Sequence, residues 1–123
     1  MSWTNWRLIA DKRTWYSDEL DWEGPACYEL ALAGPRGGDL REVYVGETKN
    51  EKKGLAAYAK HGSHLSKIID ADLRRGWTLW YHATALDTKE DAVAMQNRML
   101  KRWRYDWNIQ LNADDGNERW GAV

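Results

Sequence analysis

At 123 residues the chain fits one domain, long enough for a single layered core and too short for two. Nine Trp, six Tyr and no Phe make 12% of it aromatic; disordered chains are poor in such rings, so the mean hydropathy of −0.79 reflects a heavily charged surface rather than a missing core. Eighteen basic against nineteen acidic residues leave a formal charge of −1, which excludes nucleic-acid binding by bulk charge alone, and one cysteine, Cys27, excludes an intrachain disulfide or a thiolate metal cage.

No apolar run approaches the roughly 18 residues of a membrane span, and Met-Ser-Trp-Thr-Asn-Trp-Arg lacks the features of a secretory leader. The expected setting is cytoplasmic and reducing, with no membrane partner. Charge is unevenly spread. Lys49 to Arg75 carries a net +4, and Arg98, Lys101, Arg102 and Arg104 add another +4, whereas the first 24 residues sum to −2 and Asp106 to Val123 to −3. A polyanion would meet the middle of the chain.

In chain order, residues 1–24 form a Trp-rich extension holding Trp3, Trp6, Trp15 and Trp22. Their spacing fits neither a helical nor a strand period well, although Trp3, Trp6, Leu8 and Ile9 can make a short apolar face, so this stretch is expected to be irregular with one strand or helical turn. It is expected either to cover a face of a small sheet or to meet a partner. A domain follows over 25–112, and 113–123 is a tail. Cys27 to Ala33 alternates as a strand, Gly34 to Asp39 is a turn cluster, and Leu40 to Val45 reads as the second arm of a hairpin that Gly46 ends. Lys52 to Lys60 reads as a short helix. A second helix, with Ser63 as its cap, carries Leu65, Ile68, Ile69 and Leu73 and stops at Gly76. Trp77 to Thr84 is rich in strand formers. Thr88 then caps a long helix to about Arg102, acidic at its start and basic at its end as the dipole favours. The class is α+β: a small three-stranded, mostly antiparallel sheet flanked by helices, in the order ββααβα.

Along the last helix, Ala92, Met95, Met99, Leu100 and Trp103 fall on one arc at 100° per residue, with Gln96 inside it. An amide in a packing face must find partners or line a cavity. The same arc gives Trp103 a core position, while Arg98 and Lys101 lie opposite. His61, His64 and His82 share no metal-binding spacing.

Ala26-Cys27-Tyr28 in the first strand and Tyr44-Val45-Gly46 in the second, the stretch Glu47 to Asn50, the helix from Glu90 to Lys101, and Asn108 together resemble the GIY-YIG nuclease superfamily over about residues 25–112. The resemblance implies a sheet packed by helices and a phosphodiester-cleaving site. In that site a glutamate holds one divalent metal, a tyrosine assists the attacking water, and an arginine steadies the phosphate. Such chemistry wants a hard carboxylate for Mg²⁺ and a cation opposite the phosphoryl oxygens. This chain departs twice: the glutamate position is Gln96, an amide without charge, and the arginine position is Gly54. The catalytic candidates are Tyr28, Tyr44, Gly46, Lys53, Tyr58, His61, Gln96 and Asn108. Lys53 adjoins the absent arginine, and Lys60 or His61 is the further candidate for the same phosphate. Mg²⁺ or Mn²⁺, on Gln96, is the cofactor if the site is active, and there is none otherwise.

Basic candidates for nucleic-acid contact are Lys52, Lys60, Arg74, Arg75, Arg98, Arg102 and Arg104, although cations at helix ends are favoured by the dipole alone. Trp103, Tyr105 and Trp107 interleave with Arg102, Arg104 and Asp106, and aromatic rings of this kind stack on bases. The leading expectation is a nuclease-like protein, inactive or strongly impaired in cleavage, that binds nucleic acid, DNA ahead of RNA. The alternatives are a protein-interaction module using the Trp-rich N-terminus, or an active endonuclease with a non-standard site or an engineered Gln96.

Overall fold

Strand β2 (Ala26–Gly34) has small or apolar residues in both phases of its alternation, as a strand covered on both faces requires. It lies inside a four-stranded sheet with β1 (Arg7–Ala10), β3 (Gly37–Thr48) and β4 (Thr78–Ala85). The order is β1-β4-β2-β3, with every neighbouring pair antiparallel. Helices α1 (Ser66–Arg74) and α2 (Lys89–Arg102) complete the α+β layering. The computed structural model describes residues 3–12, 24–50 and 65–109. The expected helix at Lys52–Lys60 and the Ser63 cap lie outside these residues.

Two apolar clusters sandwich the sheet. Tyr28, Leu30 and Leu32 of β2 point into the first, with Tyr44, Leu79 and Tyr81 and with Leu65, Ile69 and Leu73 at and along α1. Cys27 and Val45 point into the second, where Ala92, Met95, Met99 and Leu100 of α2 cover them. Both helix ends follow from their residues. Thr88 Oγ1 accepts the Asp91 N–H at the start of α2 (3.1 Å), satisfying one of the donors that a helix start leaves open. At the end of α1, Gly76 takes φ +88°, which lets its N–H reach the Leu73 carbonyl and the Trp77 N–H the Asp72 carbonyl.

Two expectations are corrected. The sheet has four strands rather than three, because part of the N-terminal extension pairs with β4: Arg7 stands opposite Tyr81 and Leu8 opposite Trp80. Upstream, the Thr4 N–H donates to the Ala83 carbonyl (2.8 Å) and Thr4 Oγ1 accepts the Ala83 N–H (3.1 Å). Without this strand β4 would be an open edge with a row of unpaired backbone groups. Gly46 does not end the second hairpin arm either, since β3 continues to Thr48, opposite Ala26.

Candidate functional site

Tyr28 and Gly46 are register partners across the β2–β3 ladder, and Tyr44 stands one step along, opposite Leu30. The alternation of strand side chains therefore puts both tyrosines and the glycine on one face. The rings lie 6.2 Å apart at 41°, and the residues are 4% and 8% exposed. Gly46 is what permits this arrangement. A Cβ there would lie 2.6 Å from Cζ and Oη of Tyr28 and 2.8 Å from Cε2 of Tyr44, closer than packed carbon atoms come. The two tyrosines are thus brought side by side within the first apolar cluster, packed among its buried side chains.

The segment after α2 clips this strand from its outer edge. Tyr105 enters the second cluster and Trp107 the first, so the chain passes around the edge of β3. Asn108 sits on the edge itself: its Oδ1 accepts the Val45 N–H (2.9 Å) and its Nδ2 donates to the Val45 carbonyl (3.0 Å). An edge strand offers such groups to any passing chain, and one amide side chain supplies both the acceptor and the donor that a neighbouring strand would. Val45 stands between Tyr44 and Gly46, so Asn108 holds the part of β3 that carries the tyrosine frame. Arg41 and Asp106 add an exposed ion pair on the same edge.

Gln96 is half-buried on α2, whose packed side chains belong to the second cluster, while the tyrosines belong to the first. Its donor is a neutral carbonyl oxygen, which suits a hard divalent cation poorly compared with a carboxylate. Among the described residues no group of three or more His, Cys, Asp or Glu side chains is placed to hold a metal ion. Among the described residues, this donor set does not fit a tightly held Mg²⁺ or Mn²⁺. Lys52, Lys53, Gly54, Tyr58, Lys60 and His61 lie outside the described residues.

The basic candidates divide. Arg74 and Arg75 are exposed at the end of α1, where Arg75 Nη2 pairs with Asp72 (2.5 Å). Arg98, Arg102 and Arg104 instead converge on a cleft of about 630 Å³ on the α2 side of the sheet. Trp103 lines it too, and here a sequence expectation fails. Trp103 is 58% exposed rather than in the core, because α2 ends at Arg102 and Trp103 has an extended backbone (φ −126°, ψ 150°) to which a helical angle does not apply.

The floor of this cleft holds a cluster that spacing alone did not reveal. The His82 ring Nε2–H donates to Glu29 Oε1 (2.5 Å) and the Tyr105 hydroxyl donates to Glu29 Oε2 (2.5 Å). Trp6 stacks on His82 at 3.8 Å between centroids, and Trp3 packs against it at 4.6 Å. Burial first, then the bond to Glu29, pushes the Tyr105 hydroxyl up. Cys27, on the same side, is a buried thiol pushed up to about 12 by burial and then by the charges of Glu29 and Glu47, so it is no nucleophile at neutral pH. The available signal was Glu29 itself, a carboxylate in an otherwise apolar strand.

The landmarks thus lie together: a tyrosine on each arm of the hairpin, a glycine beneath them, and a late asparagine bonded to the outer edge of β3 at Val45. The chain is 30% identical over 76 residues, 62% of its length, to the UvrABC system protein C of Pseudomonas syringae pv. tomato, and that match spans 12% of the relative's length. No solved structure matches the chain. Among the described residues no helix is long and apolar enough to cross a membrane. The GIY-YIG domain-containing protein family matches residues 20–119, and this chain belongs to it.

Proposed function

We propose that this GIY-YIG domain binds nucleic acid, DNA foremost, and cleaves phosphodiesters weakly or not at all. The observation that carries the binding is the convergence of Arg98, Arg102 and Arg104 on one cleft. The helix dipole accounts for cations near a helix end, but Arg104 lies beyond that end and faces the same space. A local concentration of guanidinium groups attracts a polyanion despite a net charge of −1.

The loss of cleavage rests on chemistry at two positions. Gln96 replaces the carboxylate that would attract a divalent cation, and Gly54 replaces the guanidinium that would oppose charge on the phosphate. Tyr28, Tyr44, Gly46 and Asn108 keep the frame without either. Use of the N-terminal tryptophans as a partner surface is the weaker reading, since Trp3 and Trp6 are already laid against His82.

Fluorescence anisotropy of labelled DNA against salt tests the binding. The chain should bind at low salt, and Arg98→Ala/Arg102→Ala should weaken binding and reduce the salt slope by about two, since each arginine neutralises one phosphate. Arg74→Ala/Arg75→Ala should change it less. Absence of binding to any nucleic acid at low salt overturns the reading.

A further inference from the structure

The cleft beside α2 is more than a charged surface. Its volume of about 630 Å³ lies in the range that holds one small organic ligand. Trp3, Met95 and Met99 give it an apolar wall, and Arg98, Arg102 and Arg104 give it cations. At its mouth, Trp103 is the exposed large hydrophobic side chain among the described residues. A single exposed apolar ring is ordinary on a protein surface; what sets Trp103 apart is that it lines the same cleft as Arg98, Arg102 and Arg104.

The floor is fixed. Both carboxylate oxygens of Glu29 are engaged, by His82 and by Tyr105, and Trp6 stacks behind His82. Glu42 on the rim leaves the three arginines in excess. An apolar wall and the Trp103 ring beside clustered guanidinium groups match a ligand with a π-face at one end and a phosphate at the other. In a duplex each base is stacked between its neighbours, so its face is closed to such a wall. In a single strand it is free.

We infer that this cleft seats one unpaired nucleotide, its base against Trp103 and the Met99 wall and its phosphate among Arg98, Arg102 and Arg104. The inference rests on the nucleic-acid reading above and adds to it a preference for single-stranded over duplex DNA. It also separates the seat from the tyrosine frame, which lies in the other cluster, across the sheet.

The test uses the full chain, a labelled thymidine strand of about 15 nucleotides, a duplex of the same length, thymidine monophosphate and inorganic phosphate; a strand of that size spans one binding site. Single strand should bind at least about tenfold tighter than duplex. Trp103→Ala should lower single-strand affinity by roughly tenfold, the effect of removing one stacking platform, while Trp103→Phe keeps most of it. Both variants should melt as the parent does, since the side chain is exposed. In NMR titration, thymidine monophosphate should shift the Trp103 indole N–H signal at concentrations where inorganic phosphate leaves it in place. Equal affinity for the two DNA forms, an unchanged Trp103→Ala, or a response to phosphate equal to that of the nucleotide overturns the seat and leaves the general reading standing. No binding of any nucleic acid at low salt overturns both.

Discussion

Gly46 shows how a single missing methyl shapes a site. The Tyr28 hydroxyl end occupies the space that any Cβ at position 46 would fill. Gly46→Ala should therefore destabilise the fold by about 1–3 kcal/mol through overpacking, read as a lower midpoint of thermal or urea unfolding. Gly46→Ala in a Tyr28→Ala background should cost less than in the parent, because most of the clash is with that ring. Cys27 gives a pH dependence. Its thiol is raised from 9.0 to about 12 in the folded protein, so the unfolded chain releases this proton from about pH 9 while the folded chain holds it. Stability is complete below that point and falls as pH rises toward 12, by up to about 1.4 kcal/mol per pH unit. Tyr105 is shifted in the same direction and deepens the loss. Cys27→Ala should flatten the decline in unfolding free energy between about pH 9 and 11, and a decline as steep as the parent's would contradict the account.

Among the elements, the segment 105–108 is the one whose role depends on position in space rather than on its own pattern. Asn108→Ala would leave the Val45 N–H and carbonyl without their partner on a buried strand edge. It should cost about 2 kcal/mol and speed hydrogen exchange at the Val45 amide. The hairpin, α1, β4 and α2 are legible in the sequence because each has a local cause: alternation in β2, a Gly76 stop, a Thr88 cap. Strand β1 is not, since pairing with β4 depends on a partner roughly 70 residues away and Trp3, Trp6, Leu8 and Ile9 fit no single period. The departure at Trp103 has an equally local origin. Helical angles apply up to Arg102, and one extended residue then turns the ring from the core arc to the cleft mouth. The tyrosine pair is legible from its two tripeptides. The Glu29–His82–Tyr105 cluster is not, because it joins two strands and the segment after α2, and only the register puts Glu29 opposite His82.

At the scale of the whole molecule, the two faces of one sheet carry different features. The first holds the paired tyrosines over Gly46 against α1, and the second holds the arginine-lined cleft beside α2. β2 belongs to both, placing Tyr28 on one side and Glu29 on the other through the alternation of a single strand. The Trp-rich composition divides in the same way. Trp107 fills the first cluster, Trp3 and Trp6 cover His82 on the second, and Trp103 stands open to solvent. We propose that Tyr28, Tyr44, Gly46 and Asn108 keep the frame of the family while Gln96 and Gly54 stand in place of two of its charged groups. The most direct measurement is a cleavage assay with Mg²⁺ and with Mn²⁺ on single-stranded, duplex and branched DNA, comparing this chain with Gln96→Glu and Gln96→Glu/Gly54→Arg. Weak or no cleavage by the chain as it stands and a large gain in the double variant are expected; cleavage by the unaltered chain as strong as that of the double variant, and lost in Tyr44→Phe, would contradict the proposal.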